Sequence, residues 1–418
     1  MSSKGAGKMT GEQDRHSGFV PKLRFPEFSG AWERTELTPH LKEHNERVPS
    51  TTSIPIYSST RSGLRPQNEY FDGANLANDG EYRIVPNGHF TFRHMSDDGT
   101  FKFNVNKMLS EIAVSKEYPV FEAVGISADF LLYILNNSAD FNRFALMQKK
   151  GGTRTRLYLS TLRTWKPLLP SIDEQQKIAD CLSSIDALIA AEADKLEALK
   201  DHKKGLIQRL FPTPGQTTPR LRFPEFKEAG EWEVKTIGNS SKSFSGGTPS
   251  TANLNYYGGT IPFIRSGEID AIEAELTLTI QGLKSSSAKM VDVGDVLIAM
   301  YGANSGKAAI SKISGAINQA ILCLRHETNN EFLYQYWCSR QEWVTARYLQ
   351  GGQGNLSADI IKSVPIPTPH QVEQAKIAHF LSAMDQSVDA QRERLAALKA
   401  HKSGLVQQLF PAIDEVSA

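Results

Sequence analysis

Cysteine is scarce. The 418 residues hold three, Cys181, Cys323 and Cys338, and no CxxC pair. That argues against a disulfide-framed secreted domain and against a cysteine zinc site, and it fits a reducing cytoplasm. Long apolar runs are missing as well. No stretch approaches the roughly 20 residues that span a bilayer. The opening MSSKGAGKMTGEQDRHSG carries no apolar segment of the kind that directs export, so a cytoplasmic protein with no membrane contact is expected. Net charge is nearly absent too: 47 Lys and Arg face 46 Asp and Glu, leaving +1. A chain that neutralised many phosphates alone would ordinarily be more basic, so a nucleic-acid role needs local patches or a basic partner.

Catalytic signatures are also lacking. GANSGKA, at residues 302–308, has Gly302, Gly306 and Lys307, but three residues separate the glycines and Ala308 follows the lysine. A phosphate-binding loop needs four residues there and a Ser or Thr after the lysine. HLKEH, residues 40–44, matches the letters of a zinc-hydrolase motif and would place His40 and His44 on one helix face, yet no further ligand is identifiable. DHK, residues 201–203, resembles part of a nuclease site, but its later copy reads Ala400, His401, Lys402 and loses the acid. There is no Asn/Asp-Pro-Pro-Tyr/Phe signature of an amino-group methyltransferase and no convincing glycine-rich cofactor loop after a strand. The chain is therefore expected to do no chemistry itself and to hold no metal.

What the chain does have is repetition. PKLRFPEF at residues 21–28 returns as PRLRFPEF at 219–226. EQQKIADCLSSIDALIAAEADKLEALKDHKKGLIQRLFP at 174–212 returns as EQAKIAHFLSAMDQSVDAQRERLAALKAHKSGLVQQLFP at 373–411. The phrases between them differ. Duplicated frames around unlike inserts suggest one scaffold that presents two different readers.

The long phrase has the seven-residue apolar period of a coiled-coil seam. One track holds Ile178, Ile185, Leu199 and Leu206, the other Leu182, Ile189, Leu196 and Leu210. The second copy matches with Ile377, Met384, Leu398 and Leu405, and with Leu381, Val388, Leu395 and Leu409. Pro212 and Pro411 stop the two helices, each roughly 57 Å long at the helical rise. Four polar residues interrupt the seams: Glu192, Lys203, Gln391 and Lys402. One antiparallel register sets Glu192 beside Lys402 and Lys203 beside Gln391. It also pairs Leu196 with Leu398, Leu199 with Leu395, Ile189 with Leu405 and Leu206 with Val388, and this is the register expected. The second LFP tail should then lie near the first PKLRFPEF.

The inserts read as mixed α/β domains of about 130 residues each. Between residues 32 and 166, short β-rich runs (IPIYSS, YRIV, FTFRH, IAVS) precede a helical stretch at 129–148. Between 232 and 365, IPFIRS, VLIAMY and AILCLR precede a helical stretch at 331–349. The boundaries that follow are a disordered start at 1–17, a first domain at 18–170 and a spacer helix at 171–212. After a linker at 213–218 come a second domain at 219–369, a second spacer helix at 370–411 and a tail at 412–418.

Candidate DNA-contacting residues cluster in loops. KKGGTRTRLYLSTLRTWK, residues 149–166, carries Lys149, Lys150, Arg154, Arg156, Arg163 and Lys166 without an acid, a pattern suited to phosphate contact and to arginine reading of guanine. In the second insert, glycine-lined turns offer Thr248, Arg265, Ser266, Tyr301, Asn304 and Lys307. Gln353 and Asn355 of GGQGN are of the type that bonds the major-groove edge of adenine.

The combination of LRFPEF openings followed by a tryptophan, two variable blocks, long helices begun by EQ, GGTPS and MYGANSGK resembles the specificity subunit of type I restriction–modification systems. The resemblance implies an α+β fold in which two mixed α/β target-recognition domains are separated by two long helices forming an antiparallel coiled coil, in a pseudo-two-fold circular arrangement. It implies that each domain reads one half of a split, asymmetric site in double-stranded DNA. Two methyltransferase subunits and the restriction (motor–nuclease) subunits would be the protein partners. S-adenosylmethionine, ATP and Mg would belong to those partners and not to this chain. Two rival readings, a stand-alone sequence-specific DNA-binding regulator and a zinc enzyme using His40 and His44, do not account for the duplicated frame.

Overall fold

The computed structural model describes residues 19–70, 80–149, 154–348 and 355–411. The expected disordered start, the C-terminal tail from 412, Lys150 and Gln353 lie outside them. Two 39-residue helices, Ile172–Leu210 and Gln371–Leu409, dominate the secondary structure. Each stops two residues before its proline, Pro212 or Pro411, whose ring cannot continue a helix. No helix among the described residues is long and apolar enough to cross a membrane.

The chain divides into two compact units, one made of residues up to 190 together with those from 396, the other of residues 191–395. Each long helix therefore belongs half to one unit and half to the other. Within the first unit, Ile178 and Leu182 of the first helix share a core with Leu405 and Leu409 of the second, and Asp186 is paired with Lys402. Within the second unit, Leu210 shares a core with Ile377 and Leu381, Lys203 pairs with Asp385, and Gln391 meets Glu192. Positions that rise along one helix fall along the other, so the segments run antiparallel in both units.

The observed contacts overturn the expected register. Lys402 is held by Asp186 and Lys203 by Asp385, whereas Glu192 bonds Gln391 and Arg394. The physical reason is satisfaction of buried polar groups. Glu192 and Gln391 are 7% and 6% exposed, and the Gln391 amide donates to both the Glu192 carbonyl (2.9 Å) and its carboxylate (2.6 Å). Both lysines find aspartates just off the seam, an option invisible when only seam positions are matched. Of the apolar seam residues, Ile178, Leu182, Leu196, Leu210, Ile377, Leu381, Val388, Leu395 and Leu409 are buried, while Ile185, Ile189, Leu199, Leu206, Met384, Leu398 and Leu405 are half-buried. A seam of only two helices leaves its flanks open to water.

The short repeated phrase anchors the start of each long helix. In the first unit, Arg24 makes a two-point ion pair with Glu174 and also donates to the Ser29 carbonyl. In the second, Arg222 does the same with Glu373 and the Gly230 carbonyl. Lys177 pairs with Glu27, and Lys376 with Glu225. The LFP tails are anchored likewise: Leu23 N–H donates to Gln408 O (2.9 Å) and Leu221 N–H to Arg209 O (2.8 Å). Phe410 packs on Trp32, Phe130 and Tyr133, while Phe211 packs on Phe332 and Tyr336. The second tail does sit beside the first PKLRFPEF.

The inserts differ in their sheets. The first unit carries an antiparallel four-stranded sheet ordered Leu41–Glu43, Val120–Ala123, Phe90–Phe92, Phe103–Val105, and a three-stranded one ordered Glu111–Ser115, Glu81–Pro86, Arg47–Pro49. The helical stretch expected at 129–148 is two helices, Ala128–Asn137 and Ala139–Met147. Ser138 separates them because its backbone is extended and its hydroxyl accepts from the Phe141 N–H. The second unit has two four-stranded sheets. One is ordered Ser241–Ser245, Ile321–His326, Val296–Ala299, Ala308–Ile310, and the other Leu276–Leu278, Tyr257–Ile264, Gly315–Ile317, Lys289–Val291. The Tyr257–Ile264 and Gly315–Ile317 strands pair in parallel. Val296–Ala299 is buried at every position, as its unbroken apolar sequence requires.

Candidate nucleic-acid interface

In the first unit, a two-residue turn joins Tyr57–Thr60 to Gly63–Pro66 and puts Arg61 at its tip. The Thr60 hydroxyl organises the turn by donating to the Gly63 carbonyl and accepting from the Ser62 N–H. Arg61 reaches Asp98, its Nη2 lying 2.7 and 2.6 Å from the two carboxylate oxygens. Asp98 is itself fixed by the hydroxyls of Ser96 (2.8 Å) and Thr100 (2.7 Å) and by the Thr100 N–H (3.0 Å). The Thr100 hydroxyl and then Arg61 hold this carboxyl well below the usual carboxylate range.

The same stretch meets the basic segment singled out in the sequence. Thr155–Arg156 pairs antiparallel with Met95–Ser96, and the His94 and Tyr158 rings stack at 5.7 Å. Arg154 Nε lies 2.8 Å from Asp97 Oδ1. Arg61, Arg93, Asp97, Asp98 and Lys102 line a cleft of about 630 Å³. Arg93, Lys102 and Arg156 are exposed and make no ion pair among the described residues. Lys149 is exposed. Arg163 and Lys166 are committed elsewhere, Arg163 to the Leu41 carbonyl and Lys166 to Glu36.

In the second unit the candidate loops converge. The glycines of GGTPS serve packing: a Cβ on Gly246 would fall 1.8 Å from Ile317 O, and one on Gly247 2.0 Å from Ser287 Oγ. That close approach leaves Thr248 exposed, its hydroxyl donating to Gln319 at 2.6 Å. Asn318 N–H donates to Ile264 O, which brings this loop beside Arg265 and Ser266. Arg265 bonds Glu268 (Nε–Oε2 3.0 Å) and Glu275, and these two carboxylates, Glu268 foremost, raise its pKa further. Lys307 pairs with Asp270 at 2.9 Å. The GANSGK loop rests on Trp337, whose indole donates to Gly306 O. Asn355 accepts from Gly302 N–H at 3.2 Å, next to the exposed Tyr301. Tyr301, Asn304, Lys307 and Asn355 thus lie in one loop cluster. Arg61, Arg93 and Gln319 join these candidates only through the structure; an arginine flanked by Thr60, Ser62 and Gly63 is the available sequence signal for the first.

HLKEH is not helical. Thr38–His40 is a single 3-10 turn and Leu41–Glu43 a strand; His40 Nδ1 lies 2.8 Å from the Val124 carbonyl, and the His44 ring lies 5.2 Å from that of His89. No group of three or more His, Cys, Asp or Glu able to hold a metal occurs among the described residues.

Comparison with known proteins places this geometry. Residues 56–201 and 229–400 both match the type I restriction modification DNA specificity domain. The chain is 25% identical over 351 residues to a putative type I restriction enzyme MjaX specificity subunit of Methanocaldococcus jannaschii, covering 79% of each chain. It is 26% identical over 187 residues to the EcoR124I/EcoR124II specificity subunit of Escherichia coli, covering 42% of this chain and 46% of that one. Its fold is similar to the crystal structure of a type I restriction–modification S subunit from M. genitalium, with a TM-score of 0.60 at 15% identity over 94% of this chain and all of that one. A second structure, described as underlying complex assembly and conformational transition of the type I system, gives a TM-score of 0.54 at 16% identity over 91% of this chain and 98% of that one. The duplicated frame, the unlike inserts and the two domain matches agree: the chain belongs to the family of type I restriction–modification DNA sequence-specificity subunits.

Proposed function

We propose that this chain selects an asymmetric, two-part site in double-stranded DNA, residues 18–170 reading one half and 219–369 the other. The helices at 171–212 and 370–411 set the interval between the halves, and the duplicated frame offers equivalent docking faces to two methyltransferase subunits. A motor–nuclease would join that assembly. One observation carries the reading: the same frame contacts, Arg24–Glu174 and Arg222–Glu373, support inserts whose sheets differ. Identical supports with unlike readers suit unlike half-sites, much as dimer geometry fixes half-site spacing in other DNA binders. A net charge of +1 fits a chain whose partners supply much of the phosphate-facing surface.

The partners carry the chemistry, with S-adenosylmethionine on the methyltransferase and ATP and Mg on the motor–nuclease. This chain contributes choice of sequence. The test is to modify DNA with the chain plus its methyltransferase and sequence the methylated adenines. The expected result is one asymmetric motif in two parts with a fixed interval. A palindromic or continuous motif, or methylation without sequence preference, would overturn the reading.

A further inference from the structure

We propose that Arg61 reads a guanine in the first unit's half-site and that Asp98 is its positioning residue, with Arg93, Arg156 and Lys102 as the neighbouring phosphate contacts. The inference rests on the proposed DNA-reading function and assigns a side-chain role within it.

Two kinds of cation occur here: Arg61, Arg93 and Lys102 line the cleft, and Arg156 pairs with Met95, one of its lining residues. Arg93, Lys102 and Arg156 are exposed and without an ion pair among the described residues, which suits contact with phosphate, where positive charge alone supplies affinity. Arg61 is different. It stands at the tip of a tight turn, 69% exposed, yet is tied to a carboxylate that three donors from Ser96 and Thr100 have already fixed. A carboxylate beside a phosphate-binding arginine would weaken binding by cancelling its charge. Beside a base-reading arginine it is useful: it fixes the plane of the guanidinium and leaves nitrogens free to donate. Arginine reading guanine needs that orientation, because two parallel N–H bonds must meet O6 and N7 together. Asp98 engages the guanidinium through Nη2 alone; the two oxygens of one carboxylate subtend too small an angle there to occupy both Nη2 hydrogens, so the second Nη2 hydrogen and the N–H beside it remain as the fork that faces a base edge. Arg154, tied through Nε to Asp97, the chain neighbour of Asp98, would read an adjacent position.

The test uses the full chain assembled with its methyltransferase subunits and reads the methylated motif by sequencing. The wild-type assembly gives the reference motif. Arg61→Lys, which keeps the charge and loses the fork, is expected to lower preference at one G·C pair of one half-site by about 10- to 100-fold, leaving the other half and the interval intact. Asp98→Asn should relax the same position while raising binding to unrelated DNA. Arg93→Ala should leave the motif intact, weaken binding uniformly and reduce the slope of log affinity against log salt by about 1. An unchanged motif with Arg61→Lys, or relaxation in both halves, overturns the assignment. If the wild-type assembly itself yields no two-part motif, the parent function has failed and not this assignment alone.

Discussion

Arg24 and Glu174, 150 residues apart in sequence, meet through two bonds, Nε to Oε1 at 2.8 Å and Nη2 to Oε2 at 2.6 Å. Arg222 and Glu373 repeat that geometry at 2.7 Å for both bonds. The Glu174 and Glu373 side chains are each 1% exposed. The pair ties the repeated LRFPEF phrase to the first turn of a long helix, so a short phrase anchors the start of each helix.

Removing one partner leaves a buried charge uncompensated. Glu174→Ala is predicted to lower stability by about 3–5 kcal/mol, read by urea unfolding. Glu373→Ala should cost a similar amount, and because the two sites share no partner the losses should add. A neutral effect at either position would show that the anchor is dispensable.

The seam centre gives a second prediction. Gln391→Leu strips the 7% exposed Glu192 of two bonds and leaves it Arg394 alone, with an expected loss of about 1–3 kcal/mol. Replacing both Glu192 and Gln391 by Leu removes the polar group along with its partner and should recover most of that loss. A double-mutant cycle measures the coupling, and strict additivity would contradict a direct bond between them.

His326 supplies a pH prediction. Burial lowers its pKa, and its Nδ1 accepts from the backbone N–H groups of Thr328 (3.2 Å) and Asn329 (3.1 Å), so the fold holds the neutral ring. The folded pKa lies below the unfolded value near 6.5, hence the unfolded chain takes up protons first as pH falls. Stability from this group is present above about 6.5 and is lost as pH drops through the lower folded value. Melting temperatures at pH 8 and pH 5.5 should differ less in His326→Gln than in the wild type; an equal difference would remove His326 as the cause.

Much of the frame was legible because it rests on local pattern. Seven-residue periodicity gave the helices, and Pro212 and Pro411 gave their ends. The exact repetition of LRFPEF and LFP gave the closure of Leu23 on Gln408. What was not legible depends on contacts between distant residues. The register failed because Asp186 and Asp385, just off the seam, capture the lysines. The 129–148 run reads as one helix because its apolar period continues across Ser138, while the capping hydroxyl that divides it competes locally with the backbone. Arg61 is not legible as a candidate because nothing in its own neighbourhood reveals Asp98, 37 residues further on.

The most direct test of the whole account is an exchange of residues 232–365 for the corresponding block of another member of the family. DNA is then modified by the chimaera with its methyltransferase, and the methylated adenines are sequenced. The expected motif has one half rewritten and the other half and the interval preserved. A change in both halves, or in neither, would contradict it.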